Sequence, residues 1–510
     1  MFLTMKRFTY ILFLLLPFGV CAQDMYNAIP LFESDLTGTA RFIGMGGSMG
    51  SLGGDISVMA TNPAGIGLYR RNDASFTASY DYIDNKAKFN GEITNAGTND
   101  FTIKNGGLVF SCNIGDDNLK YINVGLGYRN RNNISGKLDV YNPSADGFSQ
   151  QYVMAELYNN RKFAWNNLSY SMYDGMYNSW LPLLGAEARL ADDKGNFLTK
   201  SDGTLVWTPT YYGYYSEESG GVDEFDLNLA MNFSDRLYIG ATVGVQNVDY
   251  TRYSCYDEGD DIGELYAIEN RYRMKGQGID IKIGAIFRPF KYSPFKLGLA
   301  FHTPTWFEFD EYSSASISDM DGKVIDTRDY ELYNGDVILR SKLATPMRLN
   351  ASMSYTFGTY LAVNAEYEYA DFSTGKFSGA SSVAKAQNEE IGYNMKEQHT
   401  ARVGAELNLD GFAIRAGYNF STSPFCSDAY KNMFNAAVTS TSTEFQNRLE
   451  KEVITAGCGY RGKNFYFDVA YMLQRQGSDF SPFYDSEYVN PTARVVNNTQ
   501  SIVGTIGMRF

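Results

Sequence analysis

After its first twenty residues the chain has no apolar run long enough to cross a bilayer as a helix. The opening run has another reading. Lys6 and Arg7 precede the apolar stretch Phe8 to Val20, and Val20-Cys21-Ala22 then supplies small residues for cleavage before Gln23. Residues 1–22 are therefore expected to be a secretory signal. A lipoprotein reading of Cys21 is weaker, because Val20 is bulkier than the residue expected before a modified cysteine. Positive charge is also scarce: 44 basic against 58 acidic residues, a net −14 that grows more negative once Lys6 and Arg7 are removed. That balance excludes nucleic acid as a partner. The two histidines, His302 and His399, have no Ser or Cys motif beside them, so no catalytic constellation can be assembled and no enzyme is expected. Four cysteines survive processing, Cys112, Cys255, Cys426 and Cys458, none in a C-x-x-C pair. No metal or redox site and no cofactor is expected from them. Cys112 and Cys458 fall on apolar strand faces as small hydrophobes, and a Cys255–Cys426 bridge between loops is left open. The acidic run Asp257 to Glu264 lacks the spacing of a calcium loop and reads as a solvated loop.

What the chain has in abundance is aromatic: 39 Tyr and 34 Phe against four Trp and 13 Pro, which points to strands carrying aromatic belts. From Asp73 onward one unit repeats, about ten residues of strict alternation and then a break. Phe225, Leu227, Leu229, Met231 and Phe233 alternate with Asp226, Asn228, Ala230 and Asn232. Leu361 to Tyr369 and Phe465 to Leu473 repeat the pattern. Period-2 alternation puts each set on its own face of a sheet. The pattern predicts about fourteen strands, over 73–84, 105–114, 119–132, 223–233, 236–252, 270–288, 294–311, 340–357, 359–372, 398–409, 411–422, 450–461, 463–476 and 496–510.

The links decide the architecture. Short ones centre on Gly115-Asp116-Asp117, Ser234-Asp235, Pro289 to Pro294, Gly358, Asp410-Gly411 and Gly462. Between them lie long links at 85–104, 133–222, 253–269, 312–339, 373–397, 423–449 and 477–495. Short turns at one end and long loops at the other, with an even strand number and a terminal Phe510, describe an all-β fold: a transmembrane antiparallel β-barrel over residues 72–510. A soluble β-sandwich would not need one apolar face on every strand.

The faces and loops give candidate functional residues. The inward set is polar and charged, and Arg348, Arg402, Arg415 and Glu366 stand out in it. Such groups solvate a lumen and pair with each other; a few of the arginines could hold a plug or meet a ligand carboxylate. The largest loop, 133–222, is apolar for a loop. Phe163, Trp165, Tyr173, Met176, Trp180 and Leu184 make it a candidate for ligand capture, for packing on itself, or for both.

The stretch Thr37 to Tyr69 fits neither pattern. It carries Gly44, Gly46, Gly47, Gly50, Gly53 and Gly54, then the corner Asn62-Pro63-Ala64-Gly65, with no apolar stripe. A Gly-rich segment that stays folded needs close backbone packing or positive-φ turns. A nucleotide-binding loop fails on spacing, since Met49 stands where G-x-G-x-x-G needs glycine and no strand precedes it. Residues 23–71 are read as an N-terminal hatch plugging the lumen.

This Gly-rich run with Asn62, Pro63, Ala64 and Gly65, leading straight into a first strand, resembles the FadL/TodX family of outer-membrane transporters of hydrophobic compounds. The resemblance extends to the strand count and terminal Phe, and so to the whole mature chain. It implies capture of a hydrophobic ligand such as a long-chain fatty acid by outer loops, rearrangement of the hatch, and lateral exit through the barrel wall. The implied place is the outer membrane of a Gram-negative bacterium. There a monomer would be surrounded by lipid and lipopolysaccharide, after insertion by the barrel-assembly machinery. The loop 133–222 is longer than usual for that family, which bears on ligand identity. A general diffusion porin and a hemin-binding receptor are the alternatives; a TonB-linked receptor would have about 22 strands and a larger plug.

Overall fold

In a computed structural model, described over residues 24–161, 179–191, 205–329, 337–379, 381–484 and 491–510, the chain forms a closed antiparallel barrel of fourteen staves. Its strands are β1 (Asp73–Phe89), β2 (Glu92–Asn113), β3 (Leu119–Asn133), β4 (Gly136–Asn142), β5 (Tyr211–Phe233), β6 (Leu237–Gly259) and β7 (Glu264–Phe287). There follow β8 (Lys296–His302), β9 (Trp306–Ser318), β10 (Val324–Asp326), β11 (Val337–Ala344), β12 (Arg348–Phe357), β13 (Leu361–Asp371) and β14 (Lys376–Phe377). The last are β15 (Glu397–Leu409), β16 (Phe412–Ser421), β17 (Phe445–Arg461), β18 (Phe465–Ser481) and β19 (Ala493–Arg509). Each of β3/β4, β8/β9, β11/β12 and β13/β14 makes one broken stave. β1 pairs with β19, from Asp73↔Arg509 to Lys88↔Arg494, and closes the ring.

The apolar set of each strand faces outward and is exposed, as at Phe225, Leu227, Leu229, Ile281, Leu299, Ile414 and Ile506. An exposed apolar band around a whole barrel is the surface a membrane covers. The strand array begins and ends at the short-turn end, where Asn72 N donates to Phe510 O at 3.2 Å. Among the described residues no helix is long and apolar enough to cross a membrane. Residues 1–22, expected from the sequence to be a signal, lie outside the described residues.

Several strands run further than their apolar pattern. The expected link 85–104 is not a loop: β1 and β2 continue through it to the turn Asn90-Gly91, both at positive φ (44° and 94°). Such a two-residue turn matches the strand twist. Likewise 253–269 is mostly the β6–β7 hairpin, and the expected loop 133–222 contains β4 and the first half of β5. These extensions stand beyond the apolar band, so neither face needs the alternation on which their detection rests. In the other direction, the spans 294–311 and 340–357 are each interrupted, at Pro304 and Pro346. Proline has no N–H for the ladder. Threonine hydroxyls repair the gap: Ile281 N donates to Thr303 Oγ1 at 3.0 Å, and Thr305 N to Thr345 Oγ1 at 2.9 Å. All four cysteines of the described chain are free, so Cys255 and Cys426 do not pair.

Candidate functional site

Residues 24–72 lie inside the barrel, folded into the helices Met25–Phe32 and Ala40–Gly44 and two 3₁₀ turns, Ile56–Ala60 and Pro63–Leu68. The motif residues begin the second turn. Asn62 caps it, Oδ1 accepting from Ala64 N at 3.2 Å, and Pro63 takes the first position, where a missing N–H costs nothing. The fully buried Asn62 also donates from Nδ2 to Ala285 O at 3.3 Å. The wall is flat where this corner lands. A Cβ on Gly284 would collide with the Asn62 side chain, and one on Gly240 with the Pro63 backbone. Inward side chains then hold the turn's carbonyls: Asn123 Nδ2 donates to Ile66 O at 2.7 Å, Thr242 Oγ1 to Met59 O at 3.1 Å, and His302 Nε2 to Thr61 O at 2.8 Å. Across the lumen, Gly404 and Gly417 accept the Met45-Gly46 backbone in the same way.

The lumen charges named from the sequence meet this segment and each other. Arg415, fully buried, bonds Glu406 at 2.7 Å and Asp468 at 2.6 Å, and Arg41 of the inner segment binds the same Glu406. Arg348 pairs with Glu368 at 2.7 Å and donates to Phe32 O. Arg402 bridges Glu366 at 2.9 Å and Glu368 at 3.1 Å, while Glu366 Oε2 accepts from Gly50 N at 2.9 Å. A second cluster joins three charges that alternation places on the inner face, Lys282, Asp226 and Asp280, to two the sequence did not single out: Lys282 sits among Glu224, Asp226 and Asp280, with Arg129 on Glu224. Alternation alone places these on the inner face; only register brings them together. The lumen is thus filled with matched charge, and it holds a narrow polar cavity of about 90 Å³ beside Arg131 and His302.

At the loop end, apolar residues of several loops form one buried cluster that includes Leu157, Leu183, Leu184, Tyr266, Ile317 and Phe480. Trp180 and Leu184, from the candidate capture loop, are buried, and Trp180 N donates to Val438 O at 2.8 Å. Phe163, Trp165, Tyr173 and Met176 lie outside the described residues. The same end grips the start of the inner segment. Lys431 pairs with Asp24 at 2.7 Å, and Met25 N donates to Gln387 Oε1 at 2.6 Å from the loop helix Ser382–Asn394.

Backbone pairing is interrupted between β2 and the β3/β4 stave. β2 pairs with β3 only from Asn113↔Tyr121 to Asn105↔Arg129. Beyond that, β3 stays with β5, slips register between Asn130 and Asn132, and continues as β4, still on β5. The free edge of β2, residues 92–104, meets this stave through side chains, Asn133 Nδ2 donating to Asp100 Oδ2 at 2.8 Å and Thr94 Oγ1 to Asp139 O, while Asn85 Nδ2 of β1 donates to Lys137 O at 2.7 Å. A larger cavity, about 230 Å³, lies behind this break and reaches Tyr26, Ile134 to Leu138, Tyr250 and Phe480.

No family model and no curated protein matches the chain. Solved structures do. A FadL homologue of Pseudomonas aeruginosa aligns with 94% of this chain and 99% of its own at a TM-score of 0.57 and 13% identity. The toluene transporter TodX of Pseudomonas putida aligns with 94% and 99% at a TM-score of 0.51 and 12% identity. At such identities the likeness speaks for architecture, and it runs from end to end: this chain has the fold of the FadL and TodX outer-membrane barrels.

Proposed function

We propose that the protein is an outer-membrane channel for hydrophobic small molecules, in which residues 24–71 act as a hatch and cargo leaves sideways between β2 and β3. The single observation that carries this reading is the combination of a lumen filled with ion pairs and a break in backbone pairing between β2 and β3. Straight down the barrel, a greasy molecule would meet buried ion pairs and would have to strip them, which is costly. Sideways, it meets a strand edge held by a few side-chain bonds, with Phe101 and Ile103 exposed on the outer surface beside it. The fold shared with transporters of hydrophobic compounds supports the same reading. On this reading the outer membrane of a Gram-negative bacterium is the site of action, the loops are the capture surface, and Trp180 and Leu184 act by shaping that surface. Long-chain fatty acids and aromatic hydrocarbons are the cargo classes to test.

The test is a staple across the opening. Asp100→Cys with Asn133→Cys, in a background whose four native cysteines are serine, is oxidised in the purified barrel. A fluorescent long-chain fatty acid, with an aromatic hydrocarbon and hemin as competitors, reports binding; entry into proteoliposomes reports transport. The expected result is binding unchanged within twofold and entry lost on oxidation, restored by reductant. Entry that survives the staple overturns lateral exit and favours a porin-like path.

A further inference from the structure

The 230 Å³ cavity behind the break in pairing has two unlike sides. One is apolar, formed by Ile134, Leu138, Tyr214, Phe445 and Phe480. The other is a patch of uncharged hydrogen-bonding groups on three adjacent strands: Asn85 of β1, Gln474 and Gln476 of β18, and Asn497, Thr499 and Ser501 of β19. Register makes it a patch, because Gln474 lies opposite Thr499, Gln476 opposite Asn497, and Asn497 opposite Asn85. Its members are only partly matched to each other. Asn497 Nδ2 donates to Asn85 Oδ1 at 2.9 Å, whereas the fully buried Ser501 Oγ has no hydrogen-bond partner among the described residues.

All but one of the cations around the cavity are paired with a carboxylate. Lys104 pairs with Asp81 at 3.0 Å, Lys431 with Asp24 at 2.7 Å, and Arg448 with Glu33. Arg252 forms no ion pair among the described residues: it donates to Asn27 Oδ1 at 3.0 Å, lies over the Tyr272 ring in the negative field of Glu444 and Glu218, and its Nε has no hydrogen-bond partner there. A ligand carboxylate entering here would lose water and meet one unpaired cation, Arg252, which already lies in the field of two carboxylates, Glu444 and Glu218. A bare hydrocarbon would leave buried amides and a hydroxyl unpartnered, which is unfavourable for a different reason.

We infer that this cavity takes the uncharged, hydroxyl-bearing head of a single-tailed amphiphile, its tail lying along the apolar side and out through the opening between β2 and β3. This rests on the channel reading above and names the substrate class for it. The polar patch gives the head donors and acceptors in a site already shaped for them. The apolar side of the cavity and the exposed Phe101 and Ile103 give the tail apolar surface on either side of the exit.

The experiment compares 1-monolauroylglycerol, laurate and dodecane on the full mature barrel at pH 8, with bound molecules counted by native mass spectrometry. Monolauroylglycerol is expected to bind at least tenfold tighter than laurate. Gln474→Leu with Asn497→Leu should weaken monolauroylglycerol at least tenfold while dodecane changes less than twofold; heat-modifiable gel mobility confirms that the variant is folded. Laurate binding tighter than monolauroylglycerol, and losing that binding in Arg252→Gln, overturns the inference in favour of an anionic head. Equal binding of laurate and monolauroylglycerol, unmoved by the double variant, overturns it in favour of recognition by the tail alone. Failure of all three to bind overturns the channel reading itself and the inference with it.

Discussion

Arg41 of the inner segment and Glu406 of β15 form a two-pronged ion pair inside the lumen, Nε to Oε2 at 2.8 Å and Nη2 to Oε1 at 3.0 Å. Glu406 also accepts from Arg415 at 2.7 Å and Arg461 at 3.3 Å, so one carboxylate ties the segment to β15, β16 and β17. A planar guanidinium meeting a carboxylate in this way fixes orientation as well as distance.

Arg41→Ala should therefore loosen the segment without unfolding the wall. Glu406 keeps two arginine partners, so the loss is that of the charged hydrogen bonds, about 2 kcal/mol. The expected outcome is frequent opening steps in planar-bilayer conductance with unchanged heat-modifiable mobility. Arg340→Ala, which breaks the exposed Arg340–Asp310 pair, should leave the conductance trace as it is.

The wall glycines give a steric test. A Cβ on Gly417 would overlap Gly46 N, backbone against backbone, and no rotamer change relieves it. Gly417→Val should push the segment off the wall, raising conductance and exposing residues 24–71 to protease. Gly504→Val meets nothing within 4 Å and should do neither.

The grip on the start of the segment should depend on pH. Glu390, in the loop helix Ser382–Asn394, accepts from Asn432 N at 3.0 Å and from Gln387 Nε2 at 3.1 Å. Burial, with the charge of Asp24 nearby and only partly offset by Lys431, pushes its carboxyl up to about 7. A carboxyl raised in the folded state favours the protonated form there. Its contribution is whole below its unfolded value near 4.5 and falls as pH rises to about 7. Up to about 3 kcal/mol of local stability is at stake between about pH 4.5 and 7. Deuterium exchange in 24–32 and 382–394 should rise over that interval, and Glu390→Gln should flatten the dependence. Exchange that is flat in the parent protein would remove Glu390 from the latch.

How much of this was legible in the sequence differs from part to part. Period-2 apolar faces are a local property, and they identified the staves wherever a membrane band demanded them, as at Phe225 to Phe233. Where β1, β2, β6 and β7 rise beyond the band, Thr, Asn, Asp and Tyr replace the alternation and the strands read as loops. Pro304 and Pro346 were visible as residues, but their effect was not, because Thr303 and Thr345 keep those broken staves joined.

The sequence by itself determined a fourteen-stave barrel with short turns at one end, an outward apolar face and a Gly-rich segment in need of a flat surface. Each of these follows from neighbours within a few residues of one another. Tertiary structure decided the rest: that Gly240 and Gly284 form the surface on which Asn62-Pro63 rests, that Arg41 meets Glu406, and that Gln474 and Asn497 line one cavity. It also decided that backbone pairing between β2 and β3 stops at Asn105 and Arg129. These depend on the register of strands far apart in the chain, and shifting one strand by a single residue would turn every one of its side chains to the other face.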